Sequence, residues 1–184
     1  MLAFCQLTAY AVIYEKLYKM VGMKRKATPA ADVMTKSSDC NCTTLRKATR
    51  RISLLYDVAL APCGLKTTQR AILAEIGRSE PVGVGALAEA LVMDSGALAH
   101  TLRPLERDGL VVVEVNPDDR RNRLISLTSG GHAKLLESNT LWRKAQSGFD
   151  AAFGSVESKI LRDMLQTLLA DDFTVSFEEG IAAH

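Results

Sequence analysis

Residues 93–131 constrain this chain more than any other stretch, reading MDSGALAHTLRPLERDGLVVVEVNPDDRRNRLISLTSGG. Asp94 or Ser95 can open a helix by accepting a hydrogen bond from an orphaned backbone N–H. Leu98, Leu102 and Leu105 recur at helical spacing, so one stripe of that helix faces a core. Gly109 suits the left-handed residue that commonly ends a helix. The β-branched run 110–115 then reads as a strand, and Asn116-Pro117-Asp118 as a turn in which proline presets the second position. Ile125 and Leu127 alternate with Leu124 and Ser126, as a return strand should, before Thr128 caps a further helix. The turn between the strands carries Arg120, Arg121 and Arg123. Such a basic tip implies an anionic partner, either phosphates or a minor groove.

A helix followed by an arginine-tipped hairpin has the order of a recognition helix and a β-wing. The predicted fold class is therefore mainly α with a small β-wing: a winged helix-turn-helix domain flanked by N- and C-terminal dimerisation helices. The wing sequence DDRRNRLISLTSGG resembles the wing-to-helix signature of the MarR family of bacterial regulators, with Asp119, Arg121, Leu127, Thr128 and Gly131 matching it. The resemblance runs from about residue 45 to 169. It implies a homodimer held by both ends of the chain, with Arg121 reaching into a minor groove while Asp119 holds it in place. It also implies a pseudo-palindromic double-stranded DNA operator and a small-molecule effector. Two positions depart from the family pattern, His100 and Val113, where arginine is common, so an operator sequence cannot be borrowed from relatives.

Within the recognition helix, Ser95 lies near an N-terminus that offers backbone N–H groups to phosphates. Gly96 and Ala97 are small enough to allow close approach to a groove. His100 sits where base edges would be met, against the alternative of a merely solvated histidine, and Arg103 follows one turn later. Pro104 removes one helical hydrogen bond, and reads either as a bend away from the duplex or as the mark of where the deeply inserted part ends. In the wing, a narrow minor groove concentrates negative potential and attracts arginine. That favours Arg121 for the groove and Arg120 and Arg123 for the backbone, while Asp119 as the brace is what the resemblance implies.

The chain of 184 residues has a net charge of only +2, which excludes a protein that coats DNA by charge alone. Doubling the contacts through a dimer offsets that modest charge. The sequence lacks a nucleotide-binding glycine pattern, since GVGALAE lies inside the helix-turn-helix without a preceding strand. Paired carboxylates and metal-ligand clusters are also missing, so an enzyme, a cofactor or a metal site is not expected. A protein-interaction module that has lost DNA binding is the other reading of the fold. No span approaches the roughly 20 apolar residues of a membrane helix, and the N-terminus makes a poor signal peptide, which predicts a cytoplasmic protein without membrane contact.

Four cysteines do not form a disulfide framework. Cys40, Cys42 and Cys63 flank the first long helix and are candidates for a thiol redox switch, beside the plainer reading as inert thiols. The resemblance implies a small aromatic acid or related lipophilic anion as effector, for which the candidates are Arg46, Arg50, Tyr56 and Trp142, because a cation with aromatics can hold such an anion.

The expected organisation is an extension and linker over 1–42, a folded body over 43–171 and a tail over 172–184. The extension contains a short amphipathic helix and the basic Lys24-Arg25-Lys26. It reads either as lying outside the folded body, with Met23 and Met34 as alternative starts, or as an extra clasping helix or basic arm. Helices are predicted over 43–61, over 68–78 with Thr67 as cap, and over 86–92, with a loop at Pro81, Gly83 and Gly85. After the wing come a long helix and, beyond a Gly154-Ser155 break, a leucine-dense last helix. The terminal helices would leave an apolar face exposed unless a second copy covers it.

Overall fold

The structure, a computed structural model, describes residues 40–183. Two compact units divide the chain, Met1–Thr44 and Leu45–His184. The sequence expectations for residues 1–39 lie outside the described residues.

Helix α1 spans Asn41–Leu60, followed by a 3-10 turn, Ala61–Cys63. Pro62 and the left-handed Gly64, at φ 73°, stop it. Helix α2 is Thr67–Ser79, strand β1 Val82–Gly83, and helices α3 and α4 are Val84–Ala90 and Ser95–Arg107. Strands β2 and β3 are Val111–Val115 and Arg123–Leu127. Helices α5, α6 and α7 are Ser129–Phe153, Ser155–Leu169 and Asp171–Ala182.

Thr67 does not cap α2 as expected. It is already helical, and Gln69 Oε1 accepts from Lys66 N at 2.9 Å to close the helix start. The Thr67 hydroxyl instead donates to Asp57 Oδ1 at 2.8 Å, and its N–H to the same oxygen at 2.7 Å, tying α2 to α1. The expected loop around Pro81 contains β1, which pairs with β3 (Val82 opposite Ile125), so β3 is central in a three-stranded antiparallel sheet ordered β1-β3-β2. A strand of two residues is too short to show alternation. α3 begins at Val84 rather than Ala86 and ends before Val92, whose φ is 50°. The segment expected as a tail is helical as α7. Three signals read from the sequence are seen where expected: Asp94 Oδ1 accepts from Ala97 N at 2.8 Å, Gly109 is left-handed at φ 70°, and Gly154 breaks α5 from α6 at φ 99°.

Burial separates two kinds of surface. Ile72, Leu73 and Ile76 of α2, Leu87 of α3, Leu98 and Leu105 of α4, and Ile125 of β3 are wholly buried in one cluster with Leu60. The winged part thus closes its core with the end of α1 and with Leu135, Leu141 and Trp142 of α5 packed against it. Elsewhere the flanking helices keep apolar side chains in the open: Leu54 and Val58 of α1, Leu169 of α6 and Ile181 of α7 stay exposed. No helix among the described residues is long and apolar enough to cross a membrane.

Candidate nucleic-acid interface

The recognition face follows from the helical period. Gly96, His100 and Arg103 lie on one side of α4, opposite the buried Leu98, Leu102 and Leu105. Ser95, Gly96, Ala97, His100 and Arg103 are all exposed. Pro104 does not end the element: α4 runs through it as one helix to Arg107. The price of its missing N–H is one unanswered carbonyl on a solvated face.

At the wing tip, Asp119 Oδ1 accepts from the backbone N–H of Arg121 at 3.0 Å, and its Oδ2 from Asn122 Nδ2 at 2.7 Å. The Asn122 N–H donates to Asp119 O at 2.9 Å and Asn116 N–H to Asn122 O at 3.0 Å, closing the hairpin. Asp119 therefore holds the backbone at Arg121 rather than its guanidinium. Among the described residues no carboxylate pairs with Arg103, Arg120, Arg121 or Arg123. The wing arginines are exposed and form no ion pair with the two aspartates that adjoin them in the turn. Arg121, Asn122 and Arg123 also line a cleft shared with Gly83 and Gly85 at the start of α3.

A brace missed by the sequence joins wing and long helix. Glu80 Oε2 accepts from Leu127 N at 2.7 Å, while its Oε1 lies 2.9 Å from His132 Nε2 on the first turn of α5. Thr128 adds to it, donating from Oγ1 to Gly109 O at 2.6 Å and accepting there from Gly131 N at 3.0 Å.

A sequence model of the MarR family matches residues 65–122, from just before α2 to the wing tip. The transcriptional regulator MosR of M. tuberculosis, solved in complex with DNA, is 35% identical with a TM-score of 0.65, over 71% of this chain and 93% of its own. The chain belongs to the MarR family. Its similarity extends to the organic hydroperoxide resistance transcriptional regulator of Bacillus subtilis, 29% identical over 70% of this chain and 86% of that protein. A Pseudomonas aeruginosa transcriptional regulator is 28% identical, with TM-score 0.65, over 72% of this chain and 99% of its own.

The four effector candidates of this MarR-family chain do not converge. Arg46 and Arg50 are exposed on α1. Tyr56 faces a groove between α1, α5 and α6, where its hydroxyl donates to Gln146. Burial, aided by nearby Asp150, pushes the Tyr56 phenol above its usual range. Trp142 lies instead under Arg70, whose guanidinium carbon is 4.5 Å from the ring centroid and whose Nη2 donates to Asn139 Oδ1 at 2.9 Å. Arg70 was missed because nothing in the α2 sequence announces a partner on α5.

Cys63 is buried and donates to Leu60 O at 3.0 Å, whereas Cys40 and Cys42 are exposed thiols at the start of α1. Hydrogen bonding from Thr43, by side chain and then by backbone, holds the Cys40 thiol below its usual range. Among the described residues no group of three or more His, Cys, Asp or Glu could hold a metal.

Proposed function

We propose that this MarR-family chain is a cytoplasmic, homodimeric repressor that reads double-stranded DNA by sequence. It leaves a pseudo-palindromic operator when a small lipophilic or aromatic effector binds. The observation that carries the reading is the wing tip, where exposed arginines without carboxylate partners among the described residues ride on a hairpin rigidified by Asp119. Guanidinium groups left unpaired on a solvated turn are free to meet an anion brought from outside. The exposed face of α4 supports the same reading. Ser95, Gly96 and Ala97 let the helix start approach a major groove, and His100 and Arg103 are set to meet base edges or phosphates. Asp119 acts by shaping the turn, Arg121 by entering the minor groove, and Arg120 and Arg123 by touching the backbone. The uncovered apolar faces of α1, α6 and α7 fit a second copy, which brings two winged domains to two half-sites. The DNA-bound structure of MosR supports this use of the fold.

The test is a fluorescence-anisotropy titration of the dimer on the DNA flanking its own gene, repeated with a panel of aromatic acids. Saturable nanomolar binding, steeply salt-dependent and reversed by one of the acids, is the expected result. Equal affinity for random DNA at low salt would sink the reading as a sequence-specific repressor.

Cys40 favours a second mode of release. A thiolate is the form that peroxides attack, and Cys40 is exposed with its thiolate favoured by Thr43. The Bacillus relative named for organic hydroperoxide resistance points the same way. Peroxide would convert Cys40 to a sulfenic acid with loss of one water or alcohol. Attack by the Cys42 thiol would then release water and leave a disulfide at the start of α1. Mild peroxide is expected to weaken operator binding in the wild type and not in Cys40→Ser. Undiminished sensitivity in a variant with Cys40, Cys42 and Cys63 all changed to serine would eliminate the thiol reading, including the buried Cys63.

A further inference from the structure

The carboxylate of Glu80 stands where a strand would otherwise continue. β1 pairs with β3 as Val82 opposite Ile125 and Gly83 opposite Leu124, and the same antiparallel register sets residue 80 opposite Leu127. The backbone there is no longer in the sheet: Glu80 is the C-cap of α2, and Pro81 has no N–H to give. Successive N–H groups of a strand point to opposite sides. Thr128 N donates towards β2, to Leu110 O at 3.1 Å, so the N–H of Leu127 faces the β1 side. Glu80 Oε2 accepts it there at 2.7 Å. One side chain thus adds a rung to a pairing in which β1 supplies only two residues.

The other oxygen of Glu80 ties this rung to a different element. Oε1 lies 2.9 Å from His132 Nε2 in the first turn of α5. A carboxylate oxygen only accepts, so the Nε2 facing it carries a proton. Nearby charges are taken up with each other, Arg78 with Glu75 on α2 and Lys134 with Glu137 on α5. Among the described residues no other cation pairs with Glu80. Glu80 therefore joins the end of α2, the base of the wing and the start of α5. Arg121 lies six residues before Leu127, at most roughly 20 Å away along an extended strand. A tilt of about 10° at the base would carry the tip roughly 3 Å, enough to break a hydrogen bond in a groove.

We infer that Glu80 is a positioning residue of the DNA interface. Bonded to Leu127 and steadied by His132, it fixes the angle between wing and α4, so that Arg121 and the recognition helix engage one duplex together. The inference rests on the role given to the wing in the proposed function, and it names the side chains that hold the wing to the body. Neither Glu80 nor His132 has to touch DNA.

Operator anisotropy on the full chain tests it, with urea midpoints and sedimentation confirming a folded dimer for each variant. Glu80→Ala removes both bonds and should weaken operator binding roughly tenfold, while His132→Ala removes one and should weaken it roughly threefold. His132→Gln should recover affinity to within about twofold, because its amide nitrogen stands as many bonds from the backbone and still donates. In an Arg121→Ala chain both alanine losses should shrink below about twofold, since the wing they misplace no longer carries its arginine. A merely structural role would weaken the two backgrounds alike. Should Glu80→Ala fail to fold, His132→Ala carries the comparison, because that side chain is 56% exposed. Equal losses in the two backgrounds, no loss in His132→Ala, or no recovery in His132→Gln overturns the positioning role and leaves the DNA-binding reading standing. An Arg121→Ala chain that binds as tightly as the wild type overturns the wing's role itself, and the positioning role with it.

Discussion

Arg121→Glu is expected to abolish operator binding while leaving fold and dimer intact. A side chain reaching into a groove contributes about 1–3 kcal/mol to discrimination, and each dimer would lose two such contacts. The expected loss is then about 2–6 kcal/mol, at least roughly thirtyfold in affinity, and charge reversal against phosphates drives it towards the upper end. The dependence on salt should also flatten by about two units, one for each arginine removed. The fold is spared because Arg121 ties the turn through its backbone: the N–H donates to Asp119, and any residue but proline supplies that bond. Anisotropy, sedimentation and thermal melting separate the three quantities. Unchanged affinity in a stable dimer would remove Arg121 from the interface and favour the winged fold as a protein-interaction module.

The legible parts of this molecule are those whose signals lie close together in the sequence. The wing announces itself within about forty residues because the Asp94 cap, the leucine stripe, Gly109, the β-branched strand and the asparagine-proline turn are all local rules pointing to one answer. The exposed face of α4 follows from the same leucines, since fixing the buried side fixes the opposite one. Hidden features depend on pairings between distant segments. Val82 and Gly83 make a strand only because β3 offers an edge, and two residues carry no period of their own. Glu80 meets His132, and Arg70 meets Trp142, only once α5 packs back on the winged domain. Choosing effector candidates by residue type failed to gather them for the same reason: cations and aromatics are common, and convergence belongs to the packing. The exposed apolar residues Phe173, Phe177 and Ile181, four apart on α7, are a different case. The spacing of Phe173, Phe177 and Ile181 was present to be read, but a terminal segment rich in carboxylates reads first as solvated chain.

Gly131→Ala should cost about 2–3 kcal/mol of unfolding free energy, whereas Gly130→Ala should cost little or stabilise slightly. Both glycines lie in the first turn of α5, so helix propensity treats them alike and only their surroundings differ. A Cβ on Gly131 would fall 2.0 Å from Leu110 O and 3.0 Å from Leu110 C. The obstacle is backbone, which cannot rotate aside as a side chain can. That carbonyl also accepts from Thr128 N at 3.1 Å, so retreat would break the bond joining the strand ends. At Gly130 the nearest atom, Gly109 O, would lie at 3.5 Å, an ordinary contact. Urea titration should show the midpoint fall for Gly131→Ala with its slope unchanged, the signature of lost stability rather than a changed denatured state. Operator affinity should fall as well in conditions where the variant remains folded, because relief of the clash must move either the first turn of α5 or the strand that carries the wing. Equal midpoints for the two alanine variants would mean that the close approach at Gly131 does not position the wing, and the brace would rest on Glu80 and Thr128 alone.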